Sequence, residues 1–188
     1  MKLGKVKTKD KFGAGVSART ESAAGIKTRG DWEFKLVRGG QVIWRDYIKN
    51  TTTQSAHNYT LDVALTSGPT VAPWYVGLIQ TGATIASAAS MPGHAGWGEF
   101  IAYTGATRPA WTAGAIAAGS VDNSASKASF GINAATAVGG AFLVSENTKS
   151  GITGDLYALG AFTGGDRTGL QSDDTLEVTA TFTAADDA

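Results

Sequence analysis

The chain contains no cysteine. Disulfides and thiolate metal sites are thereby excluded, and the fold must hold by packing or association. Histidine is nearly as scarce, with only His57 and His94 in 188 residues. Neither His-x-His nor His-Glu-x-x-His spacing occurs, so a zinc site would have to join both to a carboxylate such as Glu99 or Asp62. Charged residues make up 17% of the chain, and no apolar run approaches the roughly 20 residues a membrane helix needs. The N-terminal lysines are not followed by the apolar stretch of a signal peptide. Synthesis in the cytoplasm without export by that route is the expectation, with no membrane partner.

Catalytic patterns are equally thin. Gly13-Ala14-Gly15-Val16-Ser17-Ala18 matches the dinucleotide fingerprint formally. That chemistry needs a strand before it and a helix after it, and here Lys9-Asp10-Lys11 precedes and more Gly, Ala and Ser follow. No Gly-x-Ser-x-Gly elbow frames a nucleophilic serine. Asp166, Asp173 and Asp174 lack the alternating spacing of a calcium loop and read as turn residues. His57 falls in a short helix as a capping or semi-exposed residue, and His94 reads as closing a Gly-flanked loop. The sequence therefore predicts neither an enzyme nor a cofactor or metal site.

What is present is an uneven charge distribution. Lys2, Lys5, Lys7, Lys9, Lys11, Arg19, Lys27 and Arg29 face only Asp10 and Glu21 in residues 1–30, about +6. The remainder carries 8 basic and 14 acidic side chains, about −6. Five glycines, at 4, 13, 15, 25 and 30, interrupt any periodicity in this stretch. Residues 1–30 read as an extended basic arm with sparse apolar anchors (Leu3, Val6, Phe12, Val16, Ile26), and residues 31–188 as one domain. A cationic segment can bind phosphate without sequence preference. Phe12 is its one aromatic residue for base stacking, so nucleic acid is a minor option beside protein contacts.

The domain reads as β-rich. Asp31–Leu36 alternates polar and apolar residues, Gly39-Gly40 follows, and Gln41–Ile48 completes a hairpin with either a two- or a three-residue loop. Thr51-Thr52-Thr53 offers an N-cap hydroxyl for a helix over about Gln54–Leu65, stopped by Ser67-Gly68-Pro69. Trp74–Ile79 is almost continuously apolar and predicts a central strand buried on both faces. Further strands are expected at Gly98–Tyr103, Lys127–Asn133, Val138–Ser145, Asp155–Phe162 and Thr175–Thr183. In the last, Leu176, Val178, Ala180 and Phe182 point inward and the alternating Thr175, Glu177, Thr179 and Thr181 outward. Thr81–Gly96 and Thr104–Ser120 read as long excursions, Glu146–Gly154 and Gly164–Asp173 as turn loops. The fold class is mainly β: an antiparallel β-sandwich or jelly roll with one short helix and an extended N-terminal arm.

Five tryptophans divide into two groups. Trp32, Trp44 and Trp74 lie in strands and read as core. Trp97 and Trp111 flank the excursions and read as interface anchors, with sugar platforms as the alternative.

Several strings recur together in a known setting. They are Trp74–Ile79, Ser90-Met91-Pro92-Gly93-His94-Ala95-Gly96-Trp97, Thr107-Arg108-Pro109-Ala110-Trp111, Gly140–Val144 and Leu156–Phe162. Over about residues 30–183 the chain resembles a family of small structural, virion-associated proteins of tailed bacteriophages. The resemblance implies a particle component on the capsid surface, best a head decoration or cement protein bound to the major capsid protein. A homo-oligomer, trimer or dimer, is implied on the particle, and a tail, neck or fibre-attachment subunit remains the alternative. The interface residues expected on this reading are Lys2, Lys5, Lys7, Lys9, Lys11, Phe12, Arg19, Arg29, Trp97, Arg108 and Trp111.

Overall fold

The computed structural model describes residues 26–66, 68 and 73–186. The arm residues Lys2, Lys5, Lys7, Lys9, Lys11, Phe12 and Arg19, and the Gly13–Ala18 string, lie outside the described residues. In chain order the strands are β1 (Ile26–Arg38), β2 (Gln41–Lys49), β3 (Thr51–Thr52), β4 (Trp74–Ile79), β5 (Glu99–Phe100), β6 (Ala110–Trp111) and β7 (Ser120–Asp122). They continue as β8 (Ala128–Gly131), β9 (Thr136–Val138), β10 (Gly140–Val144), β11 (Leu156–Ala161), β12 (Arg167–Leu170) and β13 (Thr175–Asp186). One helix, α1 (Gln54–Leu61), follows β3 and runs into a wider π-type turn over Asp62–Thr66.

Every pairing among the described strands is antiparallel. The first sheet has the order β2-β1-β13-β7, with β8 also on the outer side of β13. The second has the order β3-β11-β10-β4-β5, with β6 also on β4, and β9 pairs with β12 as a small separate ribbon. The two large sheets face each other as a sandwich, as the sequence predicts. From the first sheet come Trp32, Phe34, Leu36, Phe130, Leu176 and Val178, and from the second Val76, Leu78, Ala141, Leu143 and Ala158. Trp32, Phe34 and Leu36 occupy alternate positions of β1 and are fully buried, because a period of two puts them all on one side of the pleat.

The hairpin uses the two-residue loop. Arg38 pairs with Gln41, and Gly39 and Gly40 have φ of 55° and 80°, the left-handed conformation at both turn positions that matches strand twist. Thr53 caps α1 as expected: its Oγ1 accepts from the Ala56 amide at 3.1 Å and donates to the Leu156 carbonyl, tying the helix to β11.

Three expectations need correction. Residues 26–30, which the sequence assigns to the arm, are strand: β1 pairs with β13 continuously from Ile26–Asp186 to Val37–Thr175. Residues 138–145 are not one strand, since the chain leaves the β9–β12 ribbon at Gly139 and enters the second sheet at Gly140. The 164–173 stretch is not all loop, because Arg167–Leu170 forms β12; there Arg167 pairs with Asp46 and lies 4.8 Å from the Phe162 ring centre.

The second sheet is buried on both faces. All five residues of β10 are buried, with Phe142 and Val144 turned away from the sandwich interior onto a second cluster. That cluster holds Ile79, Leu156 and Leu159 of the sheet together with Ala89, Met91 and Trp97 of the 81–98 excursion. The excursion is therefore a third layer of packing. Gly77 makes room for it: it pairs with Phe142, and a Cβ there would sit 2.1 Å from the Phe142 ring.

Candidate functional site

The 81–120 excursions, which the sequence marks for partner contact, build two different places. The first is closed. Thr84 donates to the Gly96 carbonyl at 2.7 Å and Gln80 to Gly98 at 2.9 Å, so the excursion returns along itself. Trp97 is only 6% exposed; it stacks on His94 at 4.2 Å and packs on Phe142 at 4.9 Å. It is neither a sugar platform nor an exposed anchor on this chain, because covering the outer face of β10 consumes its ring.

Arg108 likewise is not at the surface. It is 1% exposed and forms a two-pronged pair with Glu99, Nε to Oε1 at 2.9 Å and Nη2 to Oε2 at 2.7 Å. Its remaining donors reach the carbonyls of Glu146 and Gly151, each at 2.8 Å, and its guanidinium lies 5.1 Å from the Phe142 ring centre. Glu99 also accepts from the Ser150 amide at 2.8 Å. Next to it Lys149 donates to the carbonyls of Tyr103 and Gly105 and stands 4.0 Å over the Tyr103 ring. One buried ion pair thus staples the 99–108 segment to the 146–151 loop, with its charges satisfied by hydrogen bonds as burial requires.

The titratable groups around the staple follow from burial. Burial pushes the His94 imidazole below its ordinary pKa of 6.5, with Arg108 acting the same way and Glu99 against. Burial also raises the Tyr103 hydroxyl, helped by the Glu99 charge. Asp174, whose carbonyl accepts from the Ile132 amide at 2.7 Å, is fully buried and bound by Arg38 through two contacts of 2.6 and 2.8 Å. The Arg38 hydrogen bond holds that carboxyl below its ordinary value. Asp174 is thus an ion-pair residue and more than a turn former. Asp166 accepts from the Gly82 amide at 3.1 Å.

The second place is open. β6 sets Trp111 beside Trp74 of β4, and the chain then crosses to the first sheet, where β7 pairs with β13. Between these strands and α1 lies an apolar slot of about 350 Å³, lined chiefly by Tyr59, Val63, Trp74, Trp111, Tyr157 and Phe182. Its rings touch edge to face in series: Tyr59–Trp74 at 5.4 Å, Trp74–Tyr157 at 5.3 Å, Tyr157–Phe182 at 5.4 Å and Phe182–Trp111 at 5.6 Å. Trp111 is fixed by its Nε1 donating to the Ala180 carbonyl at 3.3 Å. Across Tyr59 a second, polar-edged groove of about 630 Å³ includes Asp62, Leu65 and Asp155. The slot offers apolar and aromatic faces, which suit a side-chain anchor more than bond-making chemistry.

Of the residues singled out from the sequence, the structure brings Trp111 to a cavity and removes Trp97 and Arg108 into the interior. Arg29 is exposed on β1 opposite Thr183. His57 is exposed on α1; among the described residues no three His, Asp or Glu side chains converge. Tyr59, Val63, Tyr157 and Phe182 were not foreseen as site residues. They come from α1, the turn after it, β11 and β13, so no single local pattern joins them and they meet only when these elements are placed.

No family model, no curated protein and no solved structure matches the chain.

Proposed function

We propose that the chain is a structural subunit of a tailed-bacteriophage virion: a head decoration or cement protein that binds the outside of the capsid and bridges major capsid protein subunits. The resemblance of residues 30–183 to that class of proteins suggests it, and one observation carries it furthest. The basic arm is rooted in β1, whose ladder with β13 runs in register from Ile26–Asp186 to Val37–Thr175. Force on the arm is directed along the strand and resisted by many ladder hydrogen bonds at once. A tether that holds neighbouring capsomers against internal pressure needs such a root. The internal charges support the same reading, since Arg108–Glu99 and Arg38–Asp174 serve to pin loops. Residues 1–25 and the body from β1 onward carry opposite net charge, about +4 and −4, which favours contacts between subunits at low salt. Many modest contacts on a symmetric shell add up through multivalency.

The test is quantitative composition of purified particles with a variant lacking residues 2–25. Hundreds of copies per particle, and loss of the truncated protein from heads, are the expected results. A few dozen copies would move the protein to the tail or neck. Wild-type occupancy and particle stability without the arm would end the tether reading.

A further inference from the structure

The aromatic slot stands close to the root of the arm. Phe182, which lines it, pairs with Gly30, and Ile26 lies four ladder positions farther out, about 13 Å at strand rise. Phe12 precedes Ile26 by fourteen residues, up to roughly 46 Å of chain. The arm is therefore long enough to bring Phe12 back to the slot of its own molecule.

The chemistry on both sides agrees. Phe12 is the only aromatic residue in positions 1–25 and is flanked by Lys9 and Lys11. The slot of about 350 Å³ has room for one aromatic ring and its neighbours, since an apolar cavity of about 150 Å³ already admits benzene. The adjoining groove contributes the carboxylates of Asp62 and Asp155, placed for lysines beside such an anchor. Tethering supplies an effective concentration in the millimolar range for a short flexible link, which a free neighbour in dilute solution does not reach.

We propose that in the free subunit Phe12, with Lys9 and Lys11, docks in the aromatic slot of the same chain. The arm is thereby stored on its own body. This contact is independent of which particle the subunit joins.

The lack of cysteine makes a direct test possible. In the full-length chain, Gly13→Cys combined with Val63→Cys creates the only thiol pair and leaves Phe12, Lys9 and Lys11 in place; Val63 is 40% exposed at the slot. Thr60→Cys, also on the slot and exposed, serves as a second partner should the first perturb folding. Lys49→Cys, exposed on β2 opposite Asp31 and about 17 Å from Ile26 at strand rise, a distance similar to that of the slot, is the control. Under mild oxidation at micromolar protein, the slot pair should close an intramolecular disulfide roughly tenfold faster than the control pair. Adding Phe12→Ala should return it to the control rate. Equal rates for slot and control, or indifference to Phe12→Ala, overturn the docking. Disulfide-linked dimers whose yield rises with concentration overturn the same-molecule assignment in favour of a neighbouring copy.

Discussion

Arg108 and Trp111 stand three residues apart on one excursion, yet Arg108 is 1% exposed and Trp111 lines an open slot. The difference lies in which sheet face the chain is crossing. At Arg108 it lies over Phe142, beneath the 146–151 loop, where the guanidinium is paired inside the protein with Glu99 and with the Glu146 and Gly151 carbonyls. At Trp111 it has reached the sandwich's open end, where half-buried rings pack on each other without being sealed. The closed region joins a buried ion pair to a sealed apolar layer, while the open one is built chiefly of half-buried aromatic contacts. Function is expected in the second, because there an apolar, aromatic-lined cavity opens to the outside.

The largest effect should come from Arg108→Met. It strands the Glu99 carboxylate in the interior, a loss of about 3–5 kcal/mol and a fall in Tm on the order of 10 °C for a domain of this size. Glu99→Met added to it should recover much of that loss. Thermal unfolding followed by circular dichroism decides, and a single variant as mild as a surface change would erase the contrast between the two regions. Trp111→Ala should cost less, about 1–2 kcal/mol, since its ring is only half buried. Denaturant midpoints give the ranking.

The smallest effect separates the regions by pH. His94 belongs to the closed layer, and its folded pKa lies below 6.5 because burial disfavours the imidazolium. The unfolded chain therefore takes up its proton first as pH falls. Stability from this group is complete above pH 6.5 and declines as pH drops toward the folded value. His94→Gln should flatten the stability profile between neutral pH and about pH 5, while Trp111→Ala leaves its slope unchanged. Urea midpoints across that range would show it.

Much of the sandwich was legible because it rests on local periodicity. The alternation around Trp32, Phe34 and Leu36, the Gly39-Gly40 turn, the Thr53 cap and the inward set Leu176, Val178 and Ala180 all carry their placement in their spacing. Trp74–Ile79 even announced that its sheet needed a cover on both faces. What supplied the cover was not legible: Ala89, Met91 and Trp97 follow no helix or strand period, and their common face exists only once the excursion has folded. The burial of Arg108 is illegible for the same reason. Its partners are a carboxylate nine residues back and carbonyls about forty residues on, and no local pattern distinguishes such an arginine from a solvated one. The two-residue strand that seats Trp111 is too short to have a period at all.

The β1–β13 ladder also has a consequence in time. Its two strands lie about 150 positions apart in sequence, which gives the fold a high contact order and predicts slow folding. During synthesis at roughly 5–20 residues per second, β1 and its hairpin partner would wait on the order of 10–30 s before Thr175–Asp186 emerges. Throughout that interval Trp32, Phe34 and Leu36 line an unclosed edge, so the nascent chain is most exposed to misassociation just before its last strand arrives.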